Sequence, residues 1–351
     1  MNKKILIILL LGVIYFTGST LIDAGSFKSI KNEFDGHVTK VYDNVWGPED
    51  LDIDRSNGIL YISSSDRWSI RSGEKALGDG IYMLPLNPNG EPYKMNLLDY
   101  PGEFHPHGIS YFEEDSSSYL YVVNHNSNGS SVDLFQIIDD QLQFLNSFSD
   151  EILCCPNDVA AASTSQFYVT NDHGYKDGIM RKFEDYLRLP ESYLVHYKDG
   201  EYSKVYENLN YANGVALSNS KSELFLTHTT GRELIVFDRN IETGFIEVSS
   251  TLKLKTGVDN ISIDEDGSIW VAAHPKLFAF VEHSGNPTKT SPSQVLKIIP
   301  YESNTFGIEQ VYLNDGSQIS GSSVALPYED YLYIGGVFEK KILKAKLNKN
   351  K

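Results

Sequence analysis

The chain is predicted to be all-β, closed into a six-bladed β-propeller around a central tunnel. Three observations predict this. A strand–turn–strand pattern is written six times, at a spacing of roughly 50 to 60 residues, which suits four-stranded blades better than helical repeats. Tyr and Phe are abundant, at 22 and 17 residues, while helix-period patterns are scarce. Each copy also opens on a polar tip, and equivalent positions in a propeller lie at equivalent radii.

The first copy is Glu49-Asp50-Leu51-Asp52-Ile53, a turn at Ser56-Asn57-Gly58, then Ile59 to Ile62. The second runs from His107-Gly108-Ile109-Ser110 through an acidic turn to Tyr119–Val123. The third pairs Asn157-Asp158-Val159-Ala160 with Phe167–Thr170, and the fourth pairs Asn213-Gly214-Val215-Ala216-Leu217 with Leu224–Thr227. The fifth is the clearest: Asp259-Asn260, Ile261 and Ile263 in alternation, a turn at Asp264–Gly267, then Ile269-Trp270-Val271. The sixth joins Gly321-Ser322-Ser323-Val324-Ala325 to Tyr331–Ile334. No Gly/Ser/Pro-rich linker divides the copies, so residues 25–351 read as one domain. Gly178 to Tyr193, basic and aromatic, is the one stretch that reads as a short helix or lid.

Residues 1–24 stand apart. Lys3-Lys4 precede an apolar run from Ile5 to Phe16, which reads as a secretory signal peptide. The run is short for a full membrane span, which takes about 20 apolar residues. Left uncleaved, it would anchor the protein at a membrane or lipid surface, so the expected location is secreted or membrane-associated. A net charge of −17 excludes nucleic acid as a partner, because phosphate would be repelled. The two cysteines, Cys154 and Cys155, are adjacent and give no disulfide framework. They read as buried thiols in preference to a strained vicinal disulfide. Asn128-Gly129-Ser130 is a glycosylation sequon in a polar loop.

Brought to the hub, the tips form one set: Glu49, Asp50, His107, Asn157, Asp158, Asn213, Asp259 and Asn260. Carboxylates mixed with amides are hard oxygen donors, suited to calcium with its six to eight or so oxygen ligands. Zinc would need His or Cys at short spacing. Any one Asn or Asp could merely cap a turn; the recurrence at one position of successive copies favours ligands. Neighbours on an extended segment point opposite ways. Glu49 and Asn157 are therefore expected to reach one ion, and Asp50 and Asp158 a second, deeper one. His107 shares the tip position, so its imidazole faces the same channel and suits a general base. His228 reads as a hydrogen-bonding strand end. No Gly-x-Ser-x-Gly elbow and no phosphate-binding glycine loop is present.

At these residues the chain resembles the paraoxonase family of calcium-dependent arylesterases and lactonases. The motifs are Glu49-Asp50-Leu51, Pro106-His107-Gly108-Ile109-Ser110, Val122-Val123-Asn124-His125, Asn157-Asp158, Thr170-Asn171-Asp172-His173, Ala212-Asn213-Gly214, Val258–Ser262, His274-Pro275 and Gly335–Phe338. The resemblance implies two calcium ions in the tunnel. Glu49, Asn157, Asn213, Asp259 and Asn260 would hold the catalytic ion; Asp50, Asp158 and the carbonyl of Ile109 the structural one. It further implies a His107–His125 dyad and a substrate pocket at Tyr211, Ser323 and Val337, serving lactones or aryl esters. His107 would activate water, with Asp259 a rival as direct nucleophile. Gluconolactonase-like or strictosidine-synthase-like propellers, and a non-catalytic binding propeller, are the competing readings. The chain departs from the family in three respects. It has no cysteine to tie its two ends, so hydrogen bonds alone must close the ring. Glu339 is expected to make the pocket rim acidic, and Asp66 stands where a pocket wall is often apolar.

Overall fold

The structure, a computed structural model, describes residues 3–127 and 129–348; Asn128 lies outside the described residues. Six sheets are arranged as blades. Their inner strands are Pro48–Asp54, Pro106–Glu114, Pro156–Ser163, Ala212–Leu217, Gly257–Ile263 and Ser322–Tyr328, and each lies against the inner strands of both neighbouring blades. These are the six copies of the repeat. An apolar cluster sits at every blade junction. Leu51, Ile62, Val324 and Tyr333, for example, join the first and sixth blades, and Phe112, Tyr121, Val159 and Phe167 the second and third. Burying each such side chain contributes about 1.5–3 kcal/mol, so the alternating apolar residues of each copy hold the ring together.

The ring closes by hydrogen bonding of its ends. The outermost strand of the sixth blade is Gly36–Asp43, paired antiparallel with Lys341–Leu347 from Gly36↔Leu347 to Asp43↔Lys341. Both cysteines are free, so this ladder replaces a covalent tie.

Every inner strand slips register with its partner at its first residues. The slips fall between Pro48 and Asp50, Pro106 and Ile109, Pro156 and Val159, Ala212 and Val215, Val258 and Ile261, and Ser322 and Val324. The polar tips are therefore β-bulge residues, which leave the ladder and re-aim their side chains. Glycine in two bulges permits close packing of neighbouring tips. A Cβ on Gly108 would lie 2.5 Å from the Cα of Asp158, and one on Gly214 2.8 Å from the Cα of Asn260.

Three short helices cover the face where the tips begin. Helix α2 is Arg67–Ser72, α3 is Gly178–Leu187 and α4 is Leu277–Gly285. Each joins the second and third strands of the first, third and fifth blades, respectively. Only α3 was expected from the sequence. Asp66 is the N-cap of α2, where it accepts from Ser69 N.

Helix α1, Lys3–Asp23, has no buried residue among its 21 and is long and apolar enough to cross a membrane. It exceeds the expected apolar run because Thr17 to Thr20 continue the helix, giving about 30 Å of rise. Its end docks on the covered face. Asp23 pairs with Arg188 at 3.1 Å and Arg232 at 2.6 Å, and the Ala24 carbonyl accepts from Leu277 N at 2.9 Å.

Candidate active site

The bulges turn Glu49, Asn157, Asn213, Asp259 and Asn260 toward the hub, and all five are buried. Each is held on one side. The Asn260 amide donates to Glu49 Oε1 at 2.9 Å and to the Glu49 carbonyl at 3.1 Å. Asn213 Nδ2 donates to Thr229 Oγ1 at 3.0 Å, and Asn157 Nδ2 to Asp172 Oδ2 at 3.5 Å. Asp259 Oδ2 pairs with His274 Nε2 at 2.7 Å. One carboxylate oxygen of each acid and the amide oxygen of each asparagine have no protein hydrogen-bond partner: Glu49 Oε2, Asn157 Oδ1, Asn213 Oδ1, Asp259 Oδ1 and Asn260 Oδ1. Buried polar atoms are nearly always partnered. Five unpartnered oxygens, drawn from four of the six blades, form a donor set that fits a hard cation. Among the described residues no three His, Cys, Asp or Glu side chains group as ligands. This follows from the amide-rich make-up of the set and is unlike a zinc site.

The alternation rule separates Glu49 from Asp50 and Asn157 from Asp158, but it fails at Asp259-Asn260, where both residues present free oxygens. Hydroxyl groups brace the bulges from the preceding blade: Thr170 Oγ1 donates to the Asn213 carbonyl at 2.5 Å, Thr227 to Asp259 at 2.6 Å and Ser323 to Glu49 at 2.6 Å.

Asp50 and Asp158 are bound differently. Asp50 Oδ2 accepts from Ile109 N at 2.7 Å and Asp158 Oδ2 from Val215 N at 2.8 Å, each on a neighbouring blade. Burial, and then the Asp158 charge, push the Asp50 carboxyl well above its usual range; burial does the same for Asp158, with Glu49 adding to it. Two buried carboxylates whose ionised forms are both disfavoured suit a dication shared between them. Ile109 contributes its N–H to this pair. A cavity of about 480 Å³ opens on this side of the hub, lined by Asp50, Asp52, Tyr111, Asp158 and Lys221 among others, and by neither histidine of the dyad. Burial lifts Asp52 to about 6, against hydrogen bonds from Tyr111 N and Ile53 N.

His107 Nδ1 lies 2.9 Å from His125 Nε2, and His125 Nδ1 lies 2.9 Å from Ser130 Oγ. His107 Nε2 is 3.5 Å from Glu49 Oε1. Desolvation first, and the neighbouring His107 second, lower His125 to about 3. That keeps His125 neutral; in the tautomer that donates Nδ1–H to Ser130, its Nε2 is the acceptor for His107 Nδ1. That tautomer leaves the lone pair of His107 Nε2 facing the tips. Burial would raise Glu49, but Arg67, the Asn260 amide and, whenever its ring carries a second proton, His107 outweigh it and hold the carboxyl low.

None of the residues expected to line a substrate pocket, Tyr211, Ser323 and Val337, lines the cavity described above. The Tyr211 ring meets His173 edge-on at 4.9 Å, with its backbone at φ 63°, a conformation costly for a non-glycine residue. The Val337 carbonyl lies 3.4 Å from Arg67 Nη1. Ser323 is fully buried beneath Glu49. Glu339 does not acidify the rim as expected: its carboxylate accepts from Ser320 N at 2.7 Å and pairs with Lys341 at 3.2 Å. His228 pairs with Glu233 at 3.3 Å, as a strand-end hydrogen bond.

Several contributors escaped the sequence reading. Arg67 Nη2 stands 3.9 Å from Glu49 Oε2 and 3.3 Å from the Pro106 carbonyl, a fixed cation beside the tips. Trp68, Phe280 and Phe338 make an aromatic wall, in which Trp68 stacks on Phe338 at 5.5 Å and Phe280 on His274 at 3.8 Å. The repeated strand-end threonines, Thr170 and Thr227, were a legible signal; nothing local marked Arg67 or the wall.

Comparison with known proteins agrees with this geometry. The family profile described as Arylesterase matches residues 47–346. Serum paraoxonase/arylesterase 2 of Gallus gallus is 33% identical over 305 residues, covering 84% of this chain and 85% of that protein. Serum paraoxonase/arylesterase 1 of Homo sapiens is 33% identical over 308 residues, with the same coverage. Among solved structures, the calcium-binding protein regucalcin of Agrobacterium tumefaciens superposes with a TM-score of 0.54 at 13% identity, covering 91% of this chain and 96% of that one. The periplasmic gluconolactonase of Pseudomonas aeruginosa gives 0.52 at 11% identity, covering 86% and 89%. These two share the fold alone. With its profile match running through all six blades, the chain belongs to the arylesterase (paraoxonase) family.

Proposed function

We infer that the protein is a calcium-dependent hydrolase of lactones and aryl esters that holds two ions in its tunnel. The observation that carries this reading is the ring of five unpartnered oxygens beside the His107–His125 pair. Glu49, Asn157, Asn213, Asp259 and Asn260 would hold the upper ion. Asp50, Asp158 and the carbonyl of Ile109 would hold the deeper one. Bound at the upper position, calcium would polarise a substrate carbonyl and offset the charge of the tetrahedral oxyanion.

The chain's own residues supply the proton chemistry and the binding. His107 Nε2 accepts the proton of the attacking water, while His125, backed by Ser130, fixes the ring tautomer from the other side. His274 ties down one oxygen of Asp259, which favours Asp259 as a ligand over its use as a nucleophile. Tyr211, Val337 and the Trp68–Phe338 wall give an ester or lactone an apolar seat. Helix α1 supports a secreted or membrane-associated protein, acting as a signal or an anchor.

The test is hydrolysis of a panel of lactones and phenyl acetate by the purified protein, with added calcium and with chelator. Turnover that disappears with chelator and returns with calcium is expected. Unimpaired turnover in chelator overturns the calcium reading. No turnover of any substrate in a calcium-loaded protein leaves the binding-propeller reading.

A further inference from the structure

The adjacent thiols of Cys154 and Cys155 lie three and two residues, respectively, before the cation-facing Asn157, and the chemistry above makes no use of them. Their sulfurs are 3.0 Å apart. Cys155 is buried, its sulfur 3.8 Å from Arg181 Nη1 and 3.7 Å from the Tyr175 carbonyl at the start of the α3 cover. Cys154 is partly exposed, and the Tyr193 hydroxyl donates to its sulfur at 3.6 Å. The Cys155 backbone carries two further bonds. Its N–H donates to Asn171 Oδ1 at 3.1 Å, and its carbonyl accepts from Asp172 N at 2.9 Å. Asp172 is the residue that accepts from the Asn157 amide. Pro156, with its fixed φ, is the only residue between Cys155 and Asn157.

We propose that Cys154 and Cys155 are an oxidation site: a hydroperoxide converts them to a vicinal disulfide, and this displaces Asn157 from its cation-facing position. The calcium part of this inference rests on the function proposed above. In the first step the Cys154 sulfur attacks the peroxide. An S–O bond forms as the O–O bond breaks, giving a sulfenic acid, and the departing oxygen leaves protonated as water or alcohol. In the second step the Cys155 sulfur attacks the sulfenic sulfur. The S–S bond forms, the S–O bond breaks, and hydroxide leaves with the thiol proton as water. Two electrons pass from the two sulfurs to one hydroperoxide. Cys154 is the attacking sulfur because it is the more exposed and holds the Tyr193 donor. Its thiol is lowered to about 7, chiefly by the hydrogen bond to Cys155.

The consequence follows from reach. Consecutive Cα atoms are about 3.8 Å apart, below the usual disulfide range of about 4.4–6.8 Å. Closing the ring must therefore twist the intervening peptide. That peptide bears the Cys155 N–H held by Asn171, and the rotation passes through Pro156 to Asn157 and through the Cys155 carbonyl to Asp172. Both supports of Asn157 move together, and disturbing a ligand's outer partners typically costs about 10–100-fold in metal affinity.

The full chain is treated with hydrogen peroxide and examined by mass spectrometry, then titrated with calcium alone in a calorimeter, before and after reduction by dithiothreitol. A mass lower by about 2 Da, on the peptide holding both cysteines, is expected. With it, one calcium affinity should weaken at least tenfold, restored by reduction. In Cys154→Ser the treatment should change neither mass nor affinity. Oxygen addition without disulfide, or linkage between two chains, overturns the oxidation site. A disulfide with unchanged calcium affinity overturns the coupling to Asn157. A reduced protein that takes up no calcium sinks the calcium reading and the coupling with it, while the mass change still decides the thiol step separately.

Discussion

Removal of calcium should cost this protein a large part of its stability. Five buried oxygens have no protein hydrogen-bond partner, and an unsatisfied buried acceptor costs about 1–3 kcal/mol, so even the low end sums to about 5 kcal/mol. Mass action gives a similar figure from the other direction, since a ligand at about 1,000 times its Kd adds about 4 kcal/mol. In a single domain of this size each kcal/mol moves Tm by about 2 °C, so the calcium-loaded protein should melt about 8–10 °C above the chelated one. The assay is thermal unfolding followed by circular dichroism across a calcium titration. Asn213→Leu provides the internal control: it removes one of the five oxygens, so its gain from calcium should shrink while its melt in chelator falls less than that of a ligand-free core variant. A wild-type Tm that is the same in chelator and in saturating calcium would refute the claim that these oxygens face a cation.

Three further outcomes are expected. His107→Gln should lower kcat for a lactone by about 10²–10⁴-fold while calorimetric calcium binding is retained; unchanged turnover removes the general-base role. The folded-state pKa of His125, about 3, lies below the unfolded value of 6.5, and His196, at about 4, behaves alike. Between pH 6.5 and about 4 the unfolded chain therefore binds more protons. Stability present above pH 6.5 should be lost as pH falls through that window, and His196→Gln should flatten the profile in acid melts. Gly108→Ala would bring a Cβ within 2.5 Å of Asp158 Cα and 2.7 Å of the Asn157 carbonyl; an overpacking cost of about 1–3 kcal/mol and weaker calcium binding are expected in melts and calorimetry, with Gly214→Ala, at 2.8 Å, the milder of the two.

The blades were legible because their information is local. Alternation of apolar residues with period two, a Gly-bearing turn and a second apolar run specify a strand pair from a few residues, and six such statements imply a ring. The identity of the tips was legible for the same reason, since each stands immediately before its own strand. The direction of each tip was not. A strict alternation sends Asp259 and Asn260 apart, yet both present unpartnered oxygens at the hub. Arg67 and the Trp68–Phe338 wall went unread because each acts on partners distant in sequence.

The sequence by itself determined the repeat, the number of blades, the donor chemistry of the hub and the family, because these are carried by residue type and short-range spacing. Only the tertiary structure decided which polar atom of each tip is held and which oxygen is left free. It also decided that the ring closes through Gly36–Asp43 against Lys341–Leu347, and that two thiols share a support with Asn157. The physical reason is that these outcomes depend on contacts between residues far apart in the chain, such as Asn260 with Glu49 across 211 positions. Such contacts exist only once six sheets have packed and their bulges have been forced against one another.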